Sequence, residues 1–547
     1  MTLIKHLLKK YFFKNKFSIT FLIILSCTLS LLKINVIALI TANIIKSIKT
    51  SDINNVFNYY KYFIIASILY IIIYIIYKFK QNNTLIQLRL WIRKEIIDNM
   101  MKTNNENLSN DNFSKLSSPI NRVTTLIYFI YNNFISYTLP NLTILFVIFI
   151  YFIYNNFNLG IIFLFFNIII ILVSYFIIIK LIPHMHNCEN KSVIIESNVQ
   201  EILNNFDKII YRGYYQKESD NLDKGTNNLL EVHYKYYKKL MYSNIIINII
   251  VFFSIFSLLF YLIYMFCSKK INITIFITFF TILLLYRDNI LNSMQEIPEY
   301  IEYMGRYNCL EDIFKLIKIY NENDEKSSKN DIKIKNLNFD NIKIRDVSFK
   351  YSKINIINNL NIEFDINNII GIVGQSGKGK STIAKLIIKM YKYNGNIYID
   401  NINLQNIDTN YLRSNIIYVN QNSKLFDKNI NENLFYGCND KSSIDKLNII
   451  MKYPNIKKLF SKLNFNKKVG LSGGNISGGE RQIINIINGL ITPSKILILD
   501  EPTNALDIEL KKDLINLIKH FKQYKKCIII ISHDYDIFSI FDKKINI

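Results

Sequence analysis

NISGGERQ at 475–482 and ILILDEPTNALD at 496–507 are the two stretches on which the reading of this chain turns. The second is an apolar run that stops on two carboxylates, Asp500 and Glu501. A short apolar run of this kind is the pattern of a strand buried on both faces of a parallel sheet. Upstream, another apolar run at 369–373 leads into GQSGKGKS at 374–381. A glycine-rich turn that follows a strand and opens a helix is the context a P-loop requires. Gly374, Gly377 and Gly379 let backbone N–H groups close around phosphate oxygens, and the helix N-terminus adds its dipole. In that setting Lys380 reaches the β- and γ-phosphates and Ser381 ligates Mg²⁺. Strands and helices alternate from residue 337 onward, which predicts an α/β P-loop ATPase domain over 337–547.

The preceding residues obey a different pattern. A helix needs ~20 mostly apolar residues to cross a bilayer, and six stretches meet this, at about 17–45, 60–77, 126–153, 159–181, 244–266 and 271–291. They predict an all-α membrane domain over 1–319. Residues 320–336 (YNENDEKSSKNDIKIKN from 320) are polar and unpatterned and form the linker. Residues 3–14 mix apolar side chains with Lys5, Lys9 and Lys10, the pattern of an amphipathic helix lying in a membrane interface. The segments at 78–122 and 180–243 are long and basic, whereas the links at 46–59, 154–158 and 267–270 are short. The positive-inside rule therefore puts the long segments, and the ATPase domain, on the cytosolic side of a multi-pass integral membrane protein.

Composition excludes other classes. The net charge is +24, but much of the basic excess flanks the apolar spans, which points to anionic lipid rather than nucleic acid. Half the residues are hydrophobic, with only 16 Gly and 7 Pro, and Ile, Asn, Lys, Tyr and Phe fill the remainder, a bias that adenine- and thymine-rich codons would produce. The six cysteines form no CxxC pair, so neither a disulfide framework nor a metal cluster is expected. In HMHNC at 184–188 the histidines stand two apart and point to different helix faces, which disfavours a metal site. Lys33, inside the first span, faces either a substrate path or the outer interface, and Arg287 is expected to pair with Asp288.

The P-loop, ISGGERQ at 476–482, the Asp500–Glu501 pair and a late His533, taken in that order, resemble the nucleotide-binding domain of ATP-binding cassette (ABC) transporters, and the first three hundred residues resemble the membrane domain of an exporter-type, B-subfamily-like half-transporter. The resemblance implies ATP and Mg²⁺ as cofactors. It places ATP on the loop Gly374, Gln375, Ser376, Gly377, Lys378, Gly379, Lys380, Ser381 and Thr382, with Tyr351 of VSFKY stacked on the adenine. It assigns Ser381, Gln421 and Asp500 to Mg²⁺, and Glu501 as general base, with His533, Lys380 and Gln421 completing the catalytic set. Ser477, Gly478, Gly479 and Glu480 are implied to contact ATP from the opposite subunit, and Asp507 lies in the loop joining the two sites. LSGG at 471–474 is a second copy of the motif, but its distance to Asp500 does not fit the family, whereas that of Ser477 does.

ESNVQEILNNFDKIIYRGYYQKES at 196–219 resembles the second intracellular loop of exporters, with a coupling helix near 211–216. Three features depart from the family: IINIING at 483–489 where arginine and alanines are usual, Leu471 where exporters usually carry Glu, and an end at Ile547 soon after His533. The implied partners are a second copy of the chain, membrane lipids and an unidentified substrate, with no nucleic acid. Two other readings stay open: half of a heterodimer, or an ATP-gated channel or regulator that pumps nothing.

Overall fold

The computed structural model describes residues 2–32, 36–49, 51–102, 117–316, 334–351, 354–375, 377–438 and 440–547. Lys33, Ser376 and most of the 320–336 linker lie outside them. The chain divides into a helical unit, essentially residues 1–320, and an α/β unit, essentially 321–547.

The helical unit begins with α1 (Thr2–Lys14), α2 (Lys16–Leu31), α3 (Ile37–Lys49) and α4 (Ile53–Lys102). It continues with α5 (Ser117–Asn133), α6 (Leu139–Asn155), α7 (Phe157–Asn204), α8 (Phe206–Arg212), α9 (Tyr215–Cys267), α10 (Ile273–Gln295) and α11 (Ile297–Leu316). Among the described residues, five helices are long and apolar enough to cross a membrane, six if the pair α1–α2, bent by 94°, counts as one span. Helix α9 has 53 residues, about 80 Å at 1.5 Å per residue, against a hydrocarbon core of ~30 Å. Much of it therefore extends beyond any bilayer. The apolar side chains face outward as well as inward. Ile64, Ile65, Ile68, Ile71 and Ile72 on α4 are all exposed, a surface that only lipid or another apolar partner covers.

Three local features refine the expected spans. The stretch at 126–153 is not one regular helix, because a π-turn at Phe134–Thr138 separates α5 from α6. Arg287 and Asp288 do pair, at 2.8 Å. The short helix between α7 and α9 is α8, ending at Arg212 rather than starting at 211. Gly213 stops it in the left-handed region, φ +66°, where glycine adapts most easily. Tyr214 and Tyr215 are exposed at this tip. The histidines of HMHNC are engaged in hydrogen bonds, His184 with Lys239 at 2.8 Å and His186 with Asn190 at 3.2 Å.

The α/β unit carries two sheets. One is antiparallel, in the order β2 (Ile354–Asp365), β1 (Asn341–Tyr351), β4 (Asn394–Ile399), β5 (Ile402–Asn403). The other runs β6 (Ile416–Val419), β7 (Ile496–Asp500), β8 (Cys527–Ile531), β3 (Ile369–Val373), β9 (Lys543–Asn546), all parallel. Every residue of β3, β7 and β8 is buried, the burial that their unbroken apolar runs demand. Because the strands are parallel, the P-loop, Asp500 and His533 all emerge at the same edge of the sheet, where such folds place ligands.

Candidate active site

The P-loop leaves β3 at Val373 and enters α12 (Lys380–Ile387). Gly374, Gly377 and Gly379 have φ of 156°, 84° and 88°, values that side chains resist. The turn they permit wraps the Lys380 side chain, which is only 7% exposed. Its ammonium donates to the carbonyls of Gly374 at 2.8 Å and Gln375 at 3.0 Å. Lys378 is exposed on the outside of the turn, and Thr382 is buried beneath it.

Ser381 follows on the first turn of α12, and its hydroxyl donates to Asp500 Oδ1 at 2.9 Å. Tyr418, on β6, donates to Oδ2 of the same carboxylate at 2.7 Å. Burial raises the Asp500 carboxyl above its ordinary range, and the bonds from Tyr418 and Ser381 oppose that rise. The Tyr418 hydroxyl is itself pushed up by burial and then by the charge of Asp500. Clustered oxygen ligands of this kind suit a hard divalent cation such as Mg²⁺. Gln421 is exposed and shares a small cleft of about 80 Å³ with Asp500, Arg481 and Gln482.

Glu501 is held by its own backbone. Its φ is +49°, and its N–H donates to Ile531 O at 2.8 Å, which locks the residue to the end of β8. His533 Nδ1 lies 2.8 Å from Glu501 Oε1, and Ser532 donates to Oε2 at 3.4 Å. The carboxylate is 9% exposed while the imidazole is 63% exposed, so the pair reaches from the sheet edge toward solvent. A buried carboxylate bonded to an exposed imidazole at the floor of a phosphate loop can accept a proton from water.

The two SGG copies fold differently. Ser477 is the N-cap of α17 (Gly478–Ile491): its hydroxyl accepts from Glu480 N at 3.2 Å, and Glu480 Oε2 accepts from Ser477 N at 2.8 Å. This reciprocal capping box explains physically how Glu480 fits the position. A Cβ on Gly478 would meet open space, whereas one on Gly479 would come within 2.8 Å of Ala505 O. Ser472, in contrast, sits in a short 3₁₀ turn at φ +56°, and Asn475 folds that turn back through its N–H to Val469 O at 2.9 Å.

The structure joins Lys380, Ser381, Asp500, Glu501 and His533 at one edge of the sheet. It does not bring Ser477 to them: among the described residues, its side-chain hydrogen bonds stay within its own capping box. Asp507 caps α18 (Ile508–Phe521), accepting from Leu510 N at 2.8 Å. Tyr351 ends β1 and is 37% exposed, edge-on to Phe349 at 4.8 Å and Tyr391 at 5.3 Å. Sequence reasoning missed two side chains. Tyr418 is one. The other is Gln482, which donates to Glu501 O at 2.8 Å and accepts from Ala505 N at 3.2 Å, tying the capped helix to the carboxylate loop.

Comparison with known proteins completes the picture. Residues 357–504 match the profile of the ABC transporter, and residues 16–289, half of the chain, match that of the ABC transporter transmembrane region. This chain belongs to the ABC transporter family. Among relatives, a Rickettsia typhi protein named as an export ATP-binding/permease protein is 38% identical over 184 residues, 32% of each chain. The ATP-dependent lipid A-core flippase of Haemophilus influenzae is 32% identical over 197 residues, 35% of this chain and 33% of the flippase. The matched stretches span only about a third of these curated relatives. A bacterial Atm1-family ABC exporter with ATP bound superposes with a TM-score of 0.81 at 19% identity, covering 98% of this chain and 93% of the exporter, a likeness of fold. The α/β unit of this ABC transporter is thus an ATP-binding domain, and its helical unit is that of a multi-pass integral membrane protein.

Proposed function

We propose that the chain is an ABC half-transporter that exports a substrate at the expense of ATP, working as a pair of copies with the ATPase domains in the cytosol. The observation that carries this reading is the division of the site. The phosphate loop, carboxylates and histidine share one sheet edge, while among the described residues the open, capped N-terminus at Ser477 makes no hydrogen bond to its own chain's P-loop. Two copies would complete each other's sites, with Ser477, Gly478 and Gly479 of one approaching the γ-phosphate held by Lys380 of the other.

In this reading Tyr351 stacks on adenine and residues 374–382 hold the phosphates. Mg²⁺ would be held by Ser381, Gln421 and Asp500, and when bound it neutralises charge on the phosphate oxygens. Glu501 accepts the proton as water attacks the γ-phosphorus and the bond to the ADP oxygen breaks. His533 orients Glu501. Asp507 stands at the foot of the loop that Gln482 braces. Closure of the pair on ATP, and reopening after hydrolysis, would be passed to the helical unit through the α8 tip.

The test is reconstitution into lipid vesicles. ATP with Mg²⁺ should drive directional movement of a substrate, and Glu501→Gln should stop it. Hydrolysis with no directional movement of any compound screened would favour the gated-channel reading. A chain active only when mixed with a different half-transporter would favour the heterodimer.

A further inference from the structure

Within the helical unit, a cavity of about 330 Å³ lies between α6, α7 and the α10–α11 junction. Its size and largely apolar walls are those of small-molecule sites. Leu145, Ile170 and Ile171 form part of the wall, and Glu296 is the single charged lining residue among those described. That is unexpected in a chain with 66 Lys and Arg against 42 Asp and Glu. Glu296 and Glu299 both accept from the buried Asn133 amide, at 3.3 and 3.1 Å, and Glu299, which is exposed, also accepts from Tyr303 at 3.5 Å. Among the described residues no Lys, Arg or His pairs with either, although Glu189 nearby on α7 is paired with Arg306 at 2.6 Å. Glu296, half-buried with a second carboxylate beside it, therefore lacks a counter-charge among the described residues.

A second observation points the same way. Ser174 lines the cavity and is 8% exposed, yet among the described residues its hydroxyl meets only the thioether of Met294 at 3.7 Å, a weak acceptor. Many other helix hydroxyls in this unit bond back to a carbonyl, as Thr143 does to Pro140 and Ser254 to Val251, each at 2.7 Å. Ser174 keeps its hydrogen-bonding capacity for the cavity. Glu296 caps the 23-residue α10, about 35 Å along the helix from Ile273, so a helix crossing a ~30 Å hydrocarbon core would carry this carboxylate to the edge of that core.

We propose that this cavity binds an amphipathic organic cation, with its apolar body against Leu145, Ile170 and Ile171 and its positive centre at Glu296. This names the substrate class of the exporter argued above and rests on that reading for transport, though not for binding. The experiment measures binding without nucleotide. The full-length protein in phosphatidylcholine nanodiscs is titrated with tetraphenylphosphonium, with tetraphenylborate, the anion of the same shape, as competitor. The expected result is saturable cation binding that an equal concentration of the anion does not displace. Glu296→Gln should weaken it about tenfold, the loss of one charge-assisted contact, and Leu145→Trp should fill the cavity and abolish it. Equal displacement by the anion, wild-type affinity in Glu296→Gln, or no saturable binding to the wild-type protein would each overturn the proposal. If Glu296→Gln fails to fold, the cation-against-anion comparison on wild-type protein still decides. Cation binding without ATP-driven transport of any compound screened would sink the exporter reading and leave this site standing.

Discussion

Lys380 and Lys525 are both buried in the α/β unit, 7% and 4% exposed, and neither is in an ion pair among the described residues. Both donate to main-chain carbonyls: Lys380 to Gly374 and Gln375, Lys525 to Thr492, with a further bond to Ser494 at 2.8 Å. They stand at opposite edges of the parallel sheet, Lys380 beyond the C-terminal end of β3 and Lys525 just before β8. The difference lies in what surrounds them. Around Lys380, glycines at positive φ, a helix N-terminus, and Asp500 and Glu501 beyond Ser381 make a place for phosphate and metal. Lys525 lies in a closed pocket beside Cys438, where burial, and then the charge of Lys446, lowers its ammonium to about 7. A buried lysine marks a ligand site only when the backbone around it is built to receive an anion.

The largest expected effects test the active edge. Glu501→Gln should cut ATP hydrolysis by ~10²–10⁴-fold, the usual cost of losing a general base, while ATP still binds and holds the pair closed. Lys380→Ala should instead weaken nucleotide binding, and Lys525→Met should do neither. Normal turnover in Glu501→Gln would mean that the base lies elsewhere, and the contrast between the two edges would collapse.

The second prediction sharpens the same contrast across two chains. Ser477→Arg should abolish hydrolysis, whereas Ser472→Ala should keep most of it. Combining a Lys380→Ala chain with a Ser477→Arg chain should restore ATP-dependent closure, because both lesions then fall in one of the two sites. Failure of closure in proven mixed dimers would argue that each chain builds its own site.

Lys525 gives a smaller effect with a definite sign. Its folded-state value, about 7, lies below the ordinary lysine value, so the unfolded chain holds more protons between them. Stability should therefore rise as pH increases from 7 to about 10.4 and level off above. The full span amounts to a few kcal/mol. Lys525→Met should flatten this slope, as followed by the unfolding midpoint against pH, and an unchanged slope would assign the titration to another group. The smallest expected effect is that of Glu480→Ala. It removes half the capping box and should cost the ATPase domain about 1 kcal/mol, measured by denaturant unfolding.

The site was unevenly legible in the sequence. The P-loop, Asp500–Glu501 and Ser477 announce themselves because their chemistry lies in contiguous residues at fixed spacing. Tyr418 did not, being one of 37 tyrosines. Its role comes from the register of β6 beside β7, where Tyr418 pairs with Ile498 and the side chain reaches Asp500. Gln482 lies in the quoted motif, but only the packing of α17 over the 501–505 loop reveals which groups it joins. Lys525 carries no motif, since its burial follows from the ends of two strands meeting. In the helical unit, hydropathy predicted the apolar stretches but is blind to the π-turn at 134–138; the signal for it is Pro140, which has no N–H to bond back to Ser136 four residues earlier.

That π-turn acts as a rotational setting. A π-turn holds one residue more than the α-turn it replaces, and a helix advances about 100° per residue, so tightening 134–138 to a regular helix with every residue kept would swing each side chain beyond it by that angle. Asn141, whose amide now donates to Ser293 at 2.5 Å beside the cavity, would turn away while α6 kept its length and hydropathy. An evolving lineage could thus re-aim this wall of the cavity by tightening that one turn, without replacing any residue of α6 that lines it.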